Sequence, residues 1–192
     1  MMMLVGDGES LGRMDPDVLS RSLRVARATE RLGWLPPGSW PNVAVALLLE
    51  GAPDAEIAEV AGFGISVSGW TTSPLVEALY ERHGVLEVDE AEAVEVVADL
   101  LAAELRSRPT DVTSPMVRLL ARLAPPNYRS ALANQAYGAE EYLDCDCTAG
   151  VDPAWEVELE SRAGIAIPDE VTRALAAHLR ACLPTHQPPH GH

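Results

Sequence analysis

The sequence predicts an all-α protein, a compact multi-helix domain of eight or nine short helices, and three observations carry that expectation. An N-cap residue followed by proline occurs four times, at Asp15-Pro16, Ser73-Pro74, Ser114-Pro115 and Asp152-Pro153. Proline suits that position because a first-turn N–H makes no intrahelical bond to lose. Between these starts apolar residues recur at spacings of three and four, the signature of one helix face. No segment alternates apolar and polar residues over more than a few positions, as a half-buried strand would.

The elements follow in order. From Asp15, the residues Val18, Leu19, Leu23 and Ala26 form one apolar face of a helix that stops at Gly33. Residues 41–50 are apolar nearly all round and end at Gly51, which predicts a buried central helix. Asp54 caps a short helix with Ile57, Val60 and Ala61 inward, stopped by Gly62, and residues 73–83 bury Val76, Leu79 and Tyr80 before Gly84. Residues 89–106 open with the capping pair Asp89 and Glu92, carry Val94, Val97, Leu101 and Leu105 inward, and turn Glu90, Glu95, Asp99 and Arg106 to water. Residues 114–124 and 127–137 read as a helical pair broken at Pro125-Pro126, and 152–163 and 169–183 as the last two helices.

Residues 15–183 are therefore expected to form a single all-helical domain, with a subdivision admissible near 107–113. Residues 1–14 read as a flexible N-terminal segment and 184–192 as a flexible tail rich in histidine and proline. A chain of 192 residues buries enough surface to form a core without disulfides or a structural metal.

All 14 basic residues are arginine, against 29 acids, for a net charge of −15. Without lysine the chain cannot form a Schiff base, and it lacks the amine of a phosphate-binding loop or of a protein kinase. The acidic field, with a pI near 4.6, repels nucleic acid and anionic lipid and favours a basic protein partner. Residues 1–35 hold five arginines and five acids, leaving nine arginines against 24 acids beyond them. No basic run precedes the short apolar start, and the longest apolar stretch, 43–49, is seven residues. Both features predict a cytoplasmic protein with no membrane span. An odd set of three cysteines agrees with a reducing compartment.

Two groups of candidate site residues emerge. Cys145, Cys147, His178 and Cys182 supply the Cys₃His inventory of a tetrahedral zinc site, with His178 and Cys182 one helical turn apart. The same helix also reads as a core stripe of Val171, Leu175, His178 and Cys182, the reading favoured over zinc because C-x-C lacks the usual ligand spacing. His186, His190 and His192 in the tail could catch a transition metal loosely. The second group is a binding set. Arg21, Arg24, Arg27 and Arg31 fall largely on one face of the first helix, with Arg24 and Arg27 as contacts for an anionic ligand or, in the blander reading, as ion-pair partners of the chain's own acids. Trp34, Trp40 and Trp70 sit in or beside loops rich in glycine and proline, where a ring serves as an interface anchor or as a plug between helices.

Residues 50–85 carry Gly51, Asp54, Glu56-Ile57-Ala58 and Gly62, then a helix ending at His83-Gly84-Val85. This order resembles the helix-turn-helix of bacterial response regulators over about a fifth of the chain, and the resemblance implies a DNA-binding regulator. The stretch 63–72 is longer than a tight turn, and Glu77 and Glu81 stand where a recognition helix presents arginine, lysine or asparagine.

Catalytic signatures are incomplete. Residues 64–68 lack the closing glycine of a nucleophile elbow, Gly62-Phe63-Gly64 lacks the third glycine of a dinucleotide fingerprint, and there is no H-E-x-x-H. The sequence thus predicts a non-catalytic, acidic helical binding or regulatory protein, an adaptor or immunity-like inhibitor, acting on a basic partner without a cofactor. The alternatives are a zinc protein or metalloenzyme built on the Cys₃His set and the DNA-binding regulator.

Overall fold

A computed structural model describes residues 13–63, 69–107, 121–123, 130–131, 133–134, 136–137 and 167–181. Among them are six α-helices and no strand: α1 (Pro16–Arg31), α2 (Trp40–Leu49), α3 (Ala55–Gly62), α4 (Gly69–Arg82), α5 (Glu90–Ser107) and α6 (Asp169–Ala181). A 3₁₀ turn (Pro37–Ser39) leads into α2. The expected helices at 114–124, 127–137 and 152–163 lie mostly or wholly outside the described residues.

Helix α1 starts where Asp15 accepts the Asp17 backbone N–H at 2.8 Å, satisfying one of the donors a helix start leaves open. Its inward face is wider than the apolar pattern suggests, because Ser22 and Thr29 are buried as well. Each hydroxyl donates to the carbonyl one turn back, Val18 and Val25, at 2.8 Å, so neither enters the core unpaired.

Helices α1 and α4 end in the same way. Trp34 N–H bonds the Thr29 carbonyl at 3.0 Å and Gly33 N–H bonds Glu30 at 2.8 Å; Val85 N–H bonds Tyr80 at 2.8 Å and Gly84 N–H bonds Glu81 at 3.2 Å. The glycines sit at φ 71° and 63°, the left-handed region that closes a helix with crossed hydrogen bonds and that a Cβ disfavours. Helix α2 closes likewise through Gly51 and Ala52, whose N–H groups bond Leu48 and Leu47 at 3.0 Å.

Three elements depart from expectation. Helix α4 begins at Gly69, so Ser73-Pro74 lies inside it and the link from α3 shortens to 63–68. Pro74 is the sixth residue of α4, past the first turn, so it has no N–H to donate to the carbonyl one turn back. In α5 the buried stripe is Ala93, Val97, Ala98, Leu100, Leu101 and Ala102, with Val94 half-buried, so the helix is covered over a broader arc than the heptad-like spacing implies. Asp89 accepts the Glu92 N–H at 2.8 Å, as expected of the cap. Helix α2 is not buried all round: Trp40, Pro41, Val43, Ala44, Ala46 and Leu47 face the core while Val45, Leu48 and Leu49 face outward.

One apolar cluster draws on all six helices and on Ala121, Leu123, Ala133 and Ala136. Helix α1 packs on α5, α2 lies between α3 and α6, α3 packs on α4, and α6 also touches α5. No helix among the described residues is long and apolar enough to cross a membrane.

Gly33→Ala and Gly84→Ala are expected to destabilise the fold by about 1 kcal/mol each. An added Cβ meets nothing within 4 Å at either position, so the loss is backbone strain alone. Urea denaturation checks this, with the denaturant slope unchanged.

Candidate functional site

The densest polar arrangement among the described residues is a junction around Glu30, in the last turn of α1. Its two carboxylate oxygens accept from the Trp40 indole N–H at 2.5 Å and from the Tyr80 hydroxyl at 2.6 Å. Trp40 opens α2 and Tyr80 lies in the last turns of α4, so one side chain ties three helices. The two rings meet edge to face with centroids 5.9 Å apart, the arrangement that sets a positive ring edge on a negative face.

Arg27, one turn before Glu30, completes the junction. Its guanidinium lies 4.6 Å from the Tyr80 ring centre, donates to the Val85 carbonyl at 2.6 Å and reaches Glu77 at 3.5 Å. Ser20 donates to the His83 carbonyl at 3.2 Å. Helix α1 thus supplies donors to two carbonyls just past the end of α4, where a helix dipole is negative and carbonyls lack intrahelical partners.

The electrostatics suit a fastening. Burial pushes the Glu30 carboxyl above its ordinary 4.5, against the lowering effect of the Tyr80 and Trp40 hydrogen bonds; Glu77 raises it further and Arg27 lowers it. Burial and then the Glu30 charge hold Tyr80 far above the usual phenol range, so Tyr80 remains a donor. The two donors engage one lone pair on each carboxylate oxygen, which fixes the geometry of the side chain.

A second polar group joins α3 to α4. Asp54 caps α3 by accepting the Glu56 N–H at 2.9 Å, and its other oxygen lies 2.9 Å from His83 Nε2. Arg82 pairs with Glu56 and reaches Asp54 at 3.5 Å. Burial by itself would raise Asp54; the Glu56 side chain, His83, the Glu56 backbone and the Arg82 charge outweigh it and hold the carboxyl down at about 2.

The sequence-predicted binding residues are spread across the fold. Trp40 is in the core at 1% exposure and Trp34 is half-buried against it. The Trp70 side chain lies outside the described residues. Arg24 pairs with Glu92 on α5, and Arg27 is drawn into the junction. The stripe on α1 therefore divides, Arg24 tying α1 to α5 and Arg27 tying α1 to α4. Cys145, Cys147 and Cys182 of the zinc set lie outside the described residues, as does the side chain of His178, whose backbone is part of α6. Among the described residues no group of three or more metal-ligating side chains converges.

The Glu30 junction could not be found by spacing alone. Arg27 and Glu30 are a turn apart on one helix, but Trp40 and Tyr80 reach them only through the fold. The one local signal is an acid in the last turn of a helix, where its charge opposes the dipole and needs compensation.

Glu30→Leu should cost about 3 kcal/mol, because it leaves the indole N–H and the phenol O–H buried without an acceptor. Glu30→Gln should cost less, since its carbonyl accepts from one donor while its amide donates to the Tyr80 oxygen. Urea unfolding curves of both variants check the order.

The two carboxyls give pH dependences of opposite sign. Asp54 has a folded value below its unfolded 3.8, so its contribution is present above that value and is lost as pH falls toward about 2. Glu30 has a folded value above 4.5, so stability declines as pH rises through the interval just above that value. Denaturation at stepped pH should show the acid-side loss reduced in Asp54→Asn and the decline above 4.5 reduced in Glu30→Gln.

Comparison of the chain with family models, with curated proteins and with solved structures finds no match in any of the three, so the functional reading rests on its own residues.

Proposed function

We propose that the protein is a non-catalytic, acidic helical binding or regulatory protein whose partner is a basic protein. The observation that supports this most is the allocation of charge. Arg24 pairs with Glu92, Arg27 with Glu77, Arg82 with Glu56 and Asp54, and Arg173 with Glu170, all within the chain. Each pair cancels one acid against one arginine, so the excess of 29 acids over 14 arginines stays on other carboxylates, with Glu59, Glu81, Glu87 and Glu90 among the exposed side chains. Such a surface steers positively charged partners and repels phosphate backbones.

The charge of α4 weighs in the same direction. Glu77 and Glu81 are both exposed on the helix that the resemblance to response regulators would lay in a DNA groove. Carboxylates there would meet phosphate with like charge.

Affinity capture with the full chain from its native host, at low and at high salt, tests the reading. The expected result is a small set of basic proteins retained at about 0.01 M and released toward about 1 M ionic strength, where screening shortens from about 30 to about 3 Å. Capture of the same set by an unrelated acidic protein of equal charge, or retention of nucleic acid in place of protein, contradicts it.

A further inference from the structure

We infer that the outward ridge of α2, formed by Val45, Leu48 and Leu49, is the docking site for a basic amphipathic helix of the partner. The inference rests on the preceding reading that the partner is a basic protein, and it assigns that partner a surface and a shape. The three residues stand at i, i+3 and i+4, hence on one face, with 43%, 36% and 66% of their surface exposed. They continue a helix whose other face is core, so the ridge is held on a rigid support between α3 and α6.

The surroundings of the ridge choose the occupant by charge. At its C-terminal end Glu50 follows Leu49 directly, and the Glu50 carboxylate accepts the Glu170 backbone N–H at 3.4 Å, which brings Asp169 and Glu170 at the start of α6 to the same end. Arg173 is turned to Glu170. No basic residue lies in the last turn of α2; Glu50 faces the positive start of α6, and Asp169 is exposed beside it. An apolar ridge on a helix fits between two rows of side chains on a second helix, and acids at its border select arginine or lysine beside that partner's apolar stripe. A second copy of this chain would bring like charge to the same border, which disfavours self-association through the ridge.

The test uses the isotopically labelled full chain and a synthetic peptide helix with a leucine stripe flanked by arginines. A scrambled peptide of the same composition serves as the control for charge alone. The expected result is saturable binding with amide shifts concentrated in 42–52 and 169–173. Leu48→Ser with Leu49→Ser should weaken it about tenfold or more, with a cooperative thermal transition retained at a lowered midpoint, because Leu48 is only 36% exposed. Glu90→Gln on α5 should leave it unchanged, and the scrambled peptide should bind less tightly. Equal binding by the doubly substituted chain, with shifts on other helices, overturns the ridge assignment and leaves the basic partner standing. Absence of binding by both peptides at low salt overturns both readings. A dimer in solution that Leu48→Ser with Leu49→Ser dissociates overturns the inference by making the chain its own occupant.

Discussion

A carboxylate taken out of water must recover its hydration from the protein, and the packing of α1, α2 and α4 follows from how Glu30 does so. Trp40 and Tyr80 supply the two donors, and each comes from a different helix. Neither ring can rotate away without leaving a buried polar group unpaired, a larger penalty than the net gain of an average hydrogen bond. Arg27 adds a cation on the Tyr80 face and a donor to the Val85 carbonyl. The apolar cluster supplies most of the free energy of folding without direction, and the junction makes one arrangement of these three helices preferable to neighbouring ones.

The same economy governs the charged residues. The arginines described with ion pairs are spent on the chain's own acids, joining α1 to α5 through Arg24 and α3 to α4 through Arg82. Pairs on the surface contribute little to stability, and each cancels one acid with one arginine, so the negative exterior field comes from the acids in excess of the arginines. In the proposed reading, the acids left over after this pairing serve binding, and the exposed apolar ridge of α2 is the surface assigned to the partner.

Helix ends were the most legible features because their chemistry is local. Asp15, Asp54 and Asp89 cap the helices they precede, and Gly33, Gly51 and Gly84 terminate the helices they follow, each within a few bonds of the group it satisfies. Helix faces were legible to the extent that polarity tracks burial. Ser22 and Thr29 escaped because a hydroxyl can pair within its own helix and then enter the core. The exposure of Leu48 and Leu49 escaped for the converse reason: a helix apolar on all sides does not say which side its neighbours leave open. Ser73-Pro74 misled because a helix can run through a proline at the loss of one hydrogen bond, and residues 69–73 extend α4 ahead of it. Of the candidate site, Arg24 and Arg27 were visible as a periodic stripe, but their division between α5 and α4 depends on helices distant in sequence. Glu30, Tyr80 and Trp40 gave no joint signal at all, since a hydrogen bond spanning 50 residues leaves no spacing to read.

The coupling between Glu30 and Tyr80 in a double-mutant cycle tests the central claim most directly. Unfolding free energies are measured for the native chain, Glu30→Gln, Tyr80→Phe and the pair. Residues bonded to each other across two helices should show a coupling of about 1 kcal/mol or more. Additive losses would mean that the carboxylate does not organise this part of the fold.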